Sequence, residues 1–280
     1  MERERMMHRD SYLGMRSGDL DNKPYAKYWN PVMSPMQPQV QHALVHGAEA
    51  KELGFGREEA HLLNQSGYLP LENGTTTLAT GEVFVAVQTF MPGVTGAMFE
   101  WWMGWHYMEA QRYKLWHPRA HMTNGTKTMQ GDNPSLSDRE KYLTSHYVTE
   151  YVGTACEDII ISFVPPETFF KQQEGLYQHG ATALICGSVA LQRAPIKIGH
   201  LVHQIRDIEG GSEMRSRFWL AKPEFTGPFA KGLITKIINS KFVKKRLMPQ
   251  DLGRDMIVHC GMEMNHLASF LPALYADHHQ

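Results

Sequence analysis

The residues with the clearest chemical potential stand near the C-terminus, where His259 and Glu263 are four positions apart. In a helix this spacing places both side chains on one face, about one turn apart, so both can reach a single metal ion. An exposed pair at this spacing would instead contribute only about 0.2–0.5 kcal/mol. Met256 and Leu267 lie on or beside the same face and indicate that it is buried, where an unpaired carboxylate is very costly. The pair therefore predicts a buried metal site.

Two further segments offer the remaining ligands for such an ion. The segment 145–152 places His146 and Glu150 on one face, because side chains in a strand alternate with a period of two. The preceding loop contains His117 and His121. Spacing alone does not decide between the two loop histidines, and His146 remains a rival of Glu150. Imidazole and carboxylate ligands predict Zn²⁺, with another divalent transition metal as the alternative.

A third group of polar residues has acid–base or hydrogen-bonding potential. His203 shares one face of a strand with Leu201 and Ile205. Imidazole titrates near neutral pH and can transfer protons, although a histidine in apolar company is more often a core residue with satisfied hydrogen bonds. Tyr113 and Asn124 flank the loop histidines, and each could instead be an ordinary capping or turn residue.

A sheet and a long terminal helix are needed to bring these residues together. Apolar and β-branched runs predict six strands, at 82–90, 145–152, 158–164, 181–191, 198–208 and 213–221. Apolar periodicity predicts a buried helix at 96–116 and a long terminal helix at 253–275. The pattern predicts an α+β fold in which a curved antiparallel sheet holds the terminal helix in its concavity. Such a shape leaves a cavity between sheet and helix.

The N-terminal part of the chain differs from the rest. Prolines interrupt the segment 16–68, and its helical runs are limited to 39–53 and 57–64. We therefore expect a small helical N-terminal section at 1–74, followed by the sheet-containing domain at 75–280.

The composition excludes several classes of protein. Of 280 residues, 28 are Lys or Arg and 29 are Asp or Glu, so no basic excess is available to bind the phosphate backbone of a nucleic acid. No N-terminal apolar segment resembles a secretion signal, and no later run approaches the roughly 18 apolar residues of a membrane span. We therefore expect a cytoplasmic protein without a membrane partner. The three cysteines form no C-x-x-C pair, which leaves histidines and carboxylates to hold a metal.

Several motifs resemble the 2,4-diacetylphloroglucinol hydrolase family, to which phloretin hydrolases also belong. They are the run MPGVTGAMFEWWMGWH at 91–106, its continuation RYKLWHPRAH at 112–121, and the terminal His259-x-x-x-Glu263. The tryptophan-rich run with its trailing Arg-Tyr and His is specific, and the resemblance covers the chain from about residue 75 onward. It implies a Bet v 1-like helix-grip domain, a homodimer, and hydrolysis of the carbon–carbon bond between an acyl group and a phloroglucinol ring.

The resemblance also implies roles for individual residues. The family's four metal ligands correspond to His121, Glu150, His259 and Glu263. Its substrate-contacting tyrosine, asparagine and histidine correspond to Tyr113, Asn124 and His203, the last assigned to proton transfer. Some members place a second tyrosine in the return strand of the hairpin, where this chain has Phe218. This difference predicts a different preference for the acyl group or ring of the acylphenol substrate.

Two other functions fit parts of the same pattern. A helix-grip domain can bind apolar phenolic ligands without chemistry, and the fold does not separate a binding module from an enzyme. Such a module has no need of four convergent metal ligands. A zinc ester or amide hydrolase would keep the ligands but would not need contacts to phenol hydroxyls.

Overall fold

The computed structural model describes residues 12–172, 174–240 and 251–279, so residues 1–11 of the expected N-terminal section lie outside the description. At its centre is an antiparallel sheet of eight strands in the order β1-β2-β8-β7-β6-β5-β4-β3. The strands are β1 Gly74–Thr77, β2 Val83–Pro92, β3 His121–Thr126, β4 Ser145–Val152, β5 Ala155–Val164, β6 Ala181–Leu191, β7 Ile196–Ile208 and β8 Gly211–Phe225.

Helices cover both faces and the ends of this sheet. The α-helices are α1 Pro38–His46, α2 Gly96–Trp105, α3 Ala110–Trp116, α4 Asp138–Tyr142, α5 Pro166–Phe169, α6 Lys231–Ile238, α7 Leu252–Ala268 and α8 Leu271–His278. Short 3-10 helices occupy Ala26–Tyr28, Lys51–Leu53, Arg57–Asn64 and His106–Met108. Within the described ranges we find no helix with the length and apolar character needed to cross a membrane.

Helix α7 lies in the concavity of the sheet. It contacts β1 and β2 at one end of the strand order and β4 near the other, which requires the sheet to curve around it. Its buried side chains include Met256, Ile257, Met264 and Leu267, which belong to the main hydrophobic core. The predicted α+β fold, with a curved antiparallel sheet around a C-terminal helix, is confirmed.

The N-terminal section covers α7 and the outer face of the sheet. Helix α1 packs on α7, where a Cβ at Gly261 would stand only 2.7 Å from Cγ1 of Val40. On the convex side, the ring of Phe55 packs against Trp219. The backbone carbonyl oxygen of Phe55 accepts a hydrogen bond from the indole N–H of Trp219 at 2.8 Å. Because α7 is covered on both sides, polar groups on it are removed from bulk water. The boundary between residues 74 and 75 stays a prediction.

The structure corrects several predicted element bounds. The helix expected at 39–53 ends at His46, because Gly47 adopts a φ of 94°. The helix expected at 96–116 is interrupted at Glu109, whose φ of −143° is extended. There the Arg112 guanidinium donates to the freed carbonyl of Trp105 at 3.2 Å.

The terminal helix is also divided, and strands β1 and β3 were not predicted from the sequence. Helix α7 ends before Pro272, which has no N–H to continue it. Strands β1 and β3 are short, polar edge strands, and their sequences lack the apolar alternation that identifies a strand. Strand β3 is the one that carries His121.

Candidate active site

A cavity of about 210 Å³ lies between the concave face of the sheet and α7. Most of its wall is aliphatic, with contributions from β5 to β8 and from α7. The polar side chains in this wall are His106, Tyr113, His121, His146, Glu150, Glu157, His203, His259 and Glu263. An apolar cavity with a few convergent polar groups is the usual form of a small-molecule site.

The backbone fixes the orientation of two histidines at this cavity. Nδ1 of His121 donates to the carbonyl oxygen of Tyr113 at 3.0 Å. Nδ1 of His259 donates to the carbonyl oxygen of Tyr151, also at 3.0 Å. Because a carbonyl can only accept, the proton of each neutral ring is on Nδ1 and Nε2 carries the free lone pair. This is the tautomer and the backbone support typical of histidines that bind a metal.

Two glutamates complete the group of donor atoms. Glu150 lies opposite His121 in the β3–β4 pairing, and ligand atoms of His121, Glu150 and His259 all lie within 4.8 Å of one another. Oε2 of Glu263 is 3.5 Å from Nε2 of His121 and 3.6 Å from Nε2 of His259. The structure therefore brings together all four residues that the family resemblance proposes as ligands.

The electrostatics of this group favour a cation. Burial and the nearby Glu150 carboxylate raise the pKa of Glu263 well above its usual value. Burial and the neighbouring His117 and His259 rings lower the pKa of His121 well below its usual value. A second negative charge in this buried group is therefore disfavoured, because the carboxylates of Glu150 and Glu263 repel each other away from water. A divalent ion would relieve this repulsion, so the residues fit the metal that the sequence predicts.

The geometry distinguishes between the two loop histidines. The ring of His117 stacks on that of His259, with centroids 5.0 Å apart, and its Nδ1 is buried without a hydrogen-bond partner. Burial and the His259 ring lower the pKa of His117 to about 2. His117 therefore lies behind a proposed ligand, whereas His121 points at both carboxylates.

Tyr113 lies directly against the proposed metal group. Its hydroxyl donates to Oε2 of Glu150, and its ring stacks on His121 with centroids 3.7 Å apart and planes only 4° apart. Burial and the Glu150 carboxylate raise the pKa of this phenol well above its usual value. The hydroxyl therefore stays protonated and remains a hydrogen-bond donor at the edge of the cavity.

His203 occupies another part of the cavity wall. Its Nδ1 lies 2.7 Å from Oγ of Ser216 on the paired strand, and its ring packs edge-on against Phe99 and Phe218. Burial lowers the pKa of His203 to about 3. The ring is therefore neutral at neutral pH, rather than half-protonated as an exposed imidazole would be near its usual pKa.

Asn124 is not among the side chains that line the cavity. Its amide donates to the carbonyl oxygen of His106 at 3.4 Å, and its Oδ1 is buried without a partner. Phe218 does line the cavity, so this position, where the family resemblance implies a tyrosine in some members, presents an apolar ring here.

The chain is similar to known proteins over most of its length. A family model described as the DAPG hydrolase PhiG domain matches residues 55–276. The chain belongs to the DAPG hydrolase family. Two curated 2,4-diacetylphloroglucinol hydrolases, from a Pseudomonas species and a strain of Pseudomonas protegens, are each 32% identical over 91% of this chain. The match covers 88% and 85% of their lengths.

A phloretin hydrolase of Eubacterium ramulus is 27% identical over 90% of this chain and 89% of its own length. The family resemblance seen in the sequence motifs is thus confirmed. Among solved structures, that of Ara h 8.0201 has a TM-score of 0.36 and 9% identity, covering 68% of this chain and 99% of its own.

Sequence reasoning gave no role to several side chains that line the cavity of this DAPG hydrolase family member. His106 lies within the family motif, and His146 was considered only as an alternative to Glu150. Glu157 pairs with Glu150 across the β4–β5 register, and Trp116 ends α3. Strand alternation had already placed His146 on the inner face. His106 stands where a helix ends, so its direction did not follow from periodicity.

Proposed function

We propose that this chain is a metal-dependent hydrolase that cleaves the carbon–carbon bond between an acyl group and a phloroglucinol-type ring. The substrate class includes 2,4-diacetylphloroglucinol, converted to monoacetylphloroglucinol and acetate, and phloretin-like acylphenols. The observation that carries the proposal is the convergence of His121, Glu150, His259 and Glu263 in an apolar cavity. Membership of the DAPG hydrolase family adds the reaction class. A homodimer and a cytoplasmic location stay predictions from the sequence.

The proposed cofactor is Zn²⁺, with another divalent transition metal as the alternative. Two imidazole nitrogens and two carboxylate oxygens are ligands that zinc commonly takes. When bound, the ion would supply the Lewis acidity and the activated water that hydrolysis of an aryl ketone needs. The two carboxylates would balance its charge.

The chain's own residues would hold the ring and move the proton. Tyr113 retains its proton and donates it to Glu150, so its oxygen can accept a hydrogen bond from a ring hydroxyl at the edge of the metal group. Asn124 is assigned the same role by the family resemblance, which requires its amide to turn from the carbonyl of His106. His203 is neutral, so it can accept a proton from water or a phenol and pass it to the ring carbon that loses the acyl group.

A substrate panel tests the proposal against its two alternatives. We expect turnover of diacetylphloroglucinol, monoacetylphloroglucinol or phloretin, with one carboxylic acid released per bond cleaved. Contacts built for ring hydroxyls should favour these acylphenols over 4-nitrophenyl acetate or a simple anilide by more than about 100-fold in kcat/KM. Chromatography with parallel acid titration measures both products. Binding without turnover would identify a binding module, and preference for the ester or anilide would identify the zinc ester or amide hydrolase.

Tryptophan fluorescence gives a second test that does not depend on turnover. Trp116 lines the cavity and its indole N–H is buried without a partner, whereas Trp101, Trp102 and Trp105 are not part of the wall. We expect phloroglucinol to quench the emission of the native protein at saturation. Trp116→Phe should lose most of this quench, and the matched control Trp105→Phe should retain it. Quenching unchanged by Trp116→Phe would contradict this placement of the ring.

A further inference from the structure

Two histidines at the cavity wall have no part in the proposed metal group. His106 follows α2, and His146 lies on β4 on the same face as Glu150. Each is only 2% exposed, both line the cavity, and their ring centroids are 5.9 Å apart. Strand geometry places His146 about 13 Å from Glu150 along β4, so it stands well away from the metal group.

The backbone fixes the tautomer of both rings. Nδ1 of His106 donates to the carbonyl oxygen of Trp102 at 2.8 Å. Nε2 of His146 is buried without a partner, and the interaction of the ring with the backbone of Tyr142 places the ring proton on Nδ1. Burial lowers the pKa of His106 to about 4 and that of His146 well below its usual value. Both rings are neutral, and each Nε2 is a hydrogen-bond acceptor.

Aromatic packing prevents these acceptors from turning away. Trp102 stacks on His106 with planes 20° apart, and His146 is held between Tyr107 and Phe163 with centroid distances of 4.5 and 4.8 Å. A buried acceptor without a donor costs about 1–3 kcal/mol. Nε2 of His146 is such a buried acceptor, and Nε2 of His106 is a second acceptor at the same cavity, because the ring proton of His106 is already donated to Trp102. Two fixed acceptors in one cavity point to a ligand that carries hydroxyl groups.

We propose that Nε2 of His106 and Nε2 of His146 accept hydrogen bonds from two hydroxyl groups of the bound ring. The pair thereby selects polyhydroxylated rings over simple phenols. A hydroxyl has one proton and can satisfy only one acceptor, so the pair requires two donors on the ligand. This assignment rests on the proposed function, which places the phenol ring in this cavity. It adds a recognition element beyond Tyr113, Asn124 and His203.

Binding of two simple phenols tests the assignment. Native protein should bind phloroglucinol, with three hydroxyls, more tightly than phenol, with one, in calorimetric or NMR titrations. His146→Phe and His106→Phe keep an aromatic ring but remove the acceptor. Each should weaken phloroglucinol binding by about 10-fold, which is the loss of one hydrogen bond of ordinary strength, and should change phenol binding much less. His146→Gln, whose amide oxygen can accept, should recover part of the loss.

A matched control separates recognition from general damage to the fold. His200 lies on β7 with its side chain on the opposite face to His203 and packs on Phe169. His200→Phe should leave the preference for phloroglucinol unchanged. Circular dichroism and melting curves on every variant identify any that fail to fold. Ligand binding is then compared among the folded variants and the native protein.

Failure of the assignment to His106 and His146 can be distinguished from failure of the proposed function, because the binding measurements need no turnover. A phloroglucinol preference that both phenylalanine variants abolish supports the assignment even if no acylphenol is hydrolysed. Native protein without preference for phloroglucinol over phenol would overturn it. Equal losses for both ligands would overturn it too, since they would show a packing role.

Discussion

Alanine in place of His121 is expected to remove the bound metal and to lower kcat/KM for acylphenols by more than about 100-fold. Loss of a residue that only supports a ligand typically costs 10- to 100-fold in metal affinity or activity, and loss of a ligand should exceed that. The Nε2 of His121 lies 3.5 and 3.8 Å from the carboxylates of Glu263 and Glu150, in the centre of the proposed group of ligands. Elemental analysis of protein purified without chelator measures the metal, and initial rates measure the activity.

His117→Ala is the matched control for this experiment. The two histidines are four residues apart, His117 directly after α3 and His121 at the start of β3. His117 stacks behind His259 and does not face the carboxylates. Its removal should leave near-stoichiometric metal and cost at most about 10-fold in activity, as for a supporting residue. If the two variants reverse their effects, the choice of loop ligand is wrong. Fully active native protein that contains less than a fifth of an equivalent of transition metal would contradict the metal proposal itself.

The contrast between these two histidines shows which of the proposed metal ligands the sequence can predict. The pair His259 and Glu263 followed from helical spacing and its apolar neighbours. Spacing could not choose between His117 and His121, because the choice depends on the hydrogen bond from Nδ1 of His121 to the carbonyl of Tyr113. That contact joins the start of β3 to α3. It arises from tertiary packing, which no local pattern encodes.

Strand β4 shows a second limit of the same kind. Alternation correctly put His146 and Glu150 on the inner face of the sheet. Alternation does not determine which of the two lies close to His259 and Glu263 on α7, because that depends on where the helix crosses the sheet. The structure pairs Glu150 with His121 and leaves His146 beside His106. Face is a property of the local sequence, whereas depth in the cavity is a property of the assembled fold.

The helix breaks have a similar origin. The sequence 96–116 is rich in bulky apolar residues and contains no proline, the residue with the lowest helix propensity. The break comes at Glu109, whose carboxylate accepts hydrogen bonds from Lys23 and Tyr25 of the N-terminal section. His106 stands in the resulting 3-10 turn. The direction of its side chain was therefore beyond sequence reasoning.

Replacing His203 by alanine is expected to lower kcat by roughly 10²- to 10⁴-fold, with KM changing far less, because general acid–base help is worth about that much. Metal content and fold should be kept, since His203 contacts Ser216, Phe99 and Phe218 and none of the four proposed ligands. Steady-state kinetics, elemental analysis and melting temperature on the same preparations measure all three. A core histidine would instead lower the melting temperature with little effect on kcat.

Glutamine at position 203 separates proton transfer from positioning. Its amide can keep a hydrogen bond to Ser216 but cannot exchange a proton at neutral pH. The neutral state of His203, set by burial, leaves its ring able to take a proton and then deliver it to the leaving ring, and glutamine can do neither. His203→Gln should therefore be nearly as slow as His203→Ala. Turnover close to that of the native enzyme would exclude proton transfer by His203 and move the acid role to the protonated hydroxyl of Tyr113, which donates to Glu150 at the edge of the same cavity.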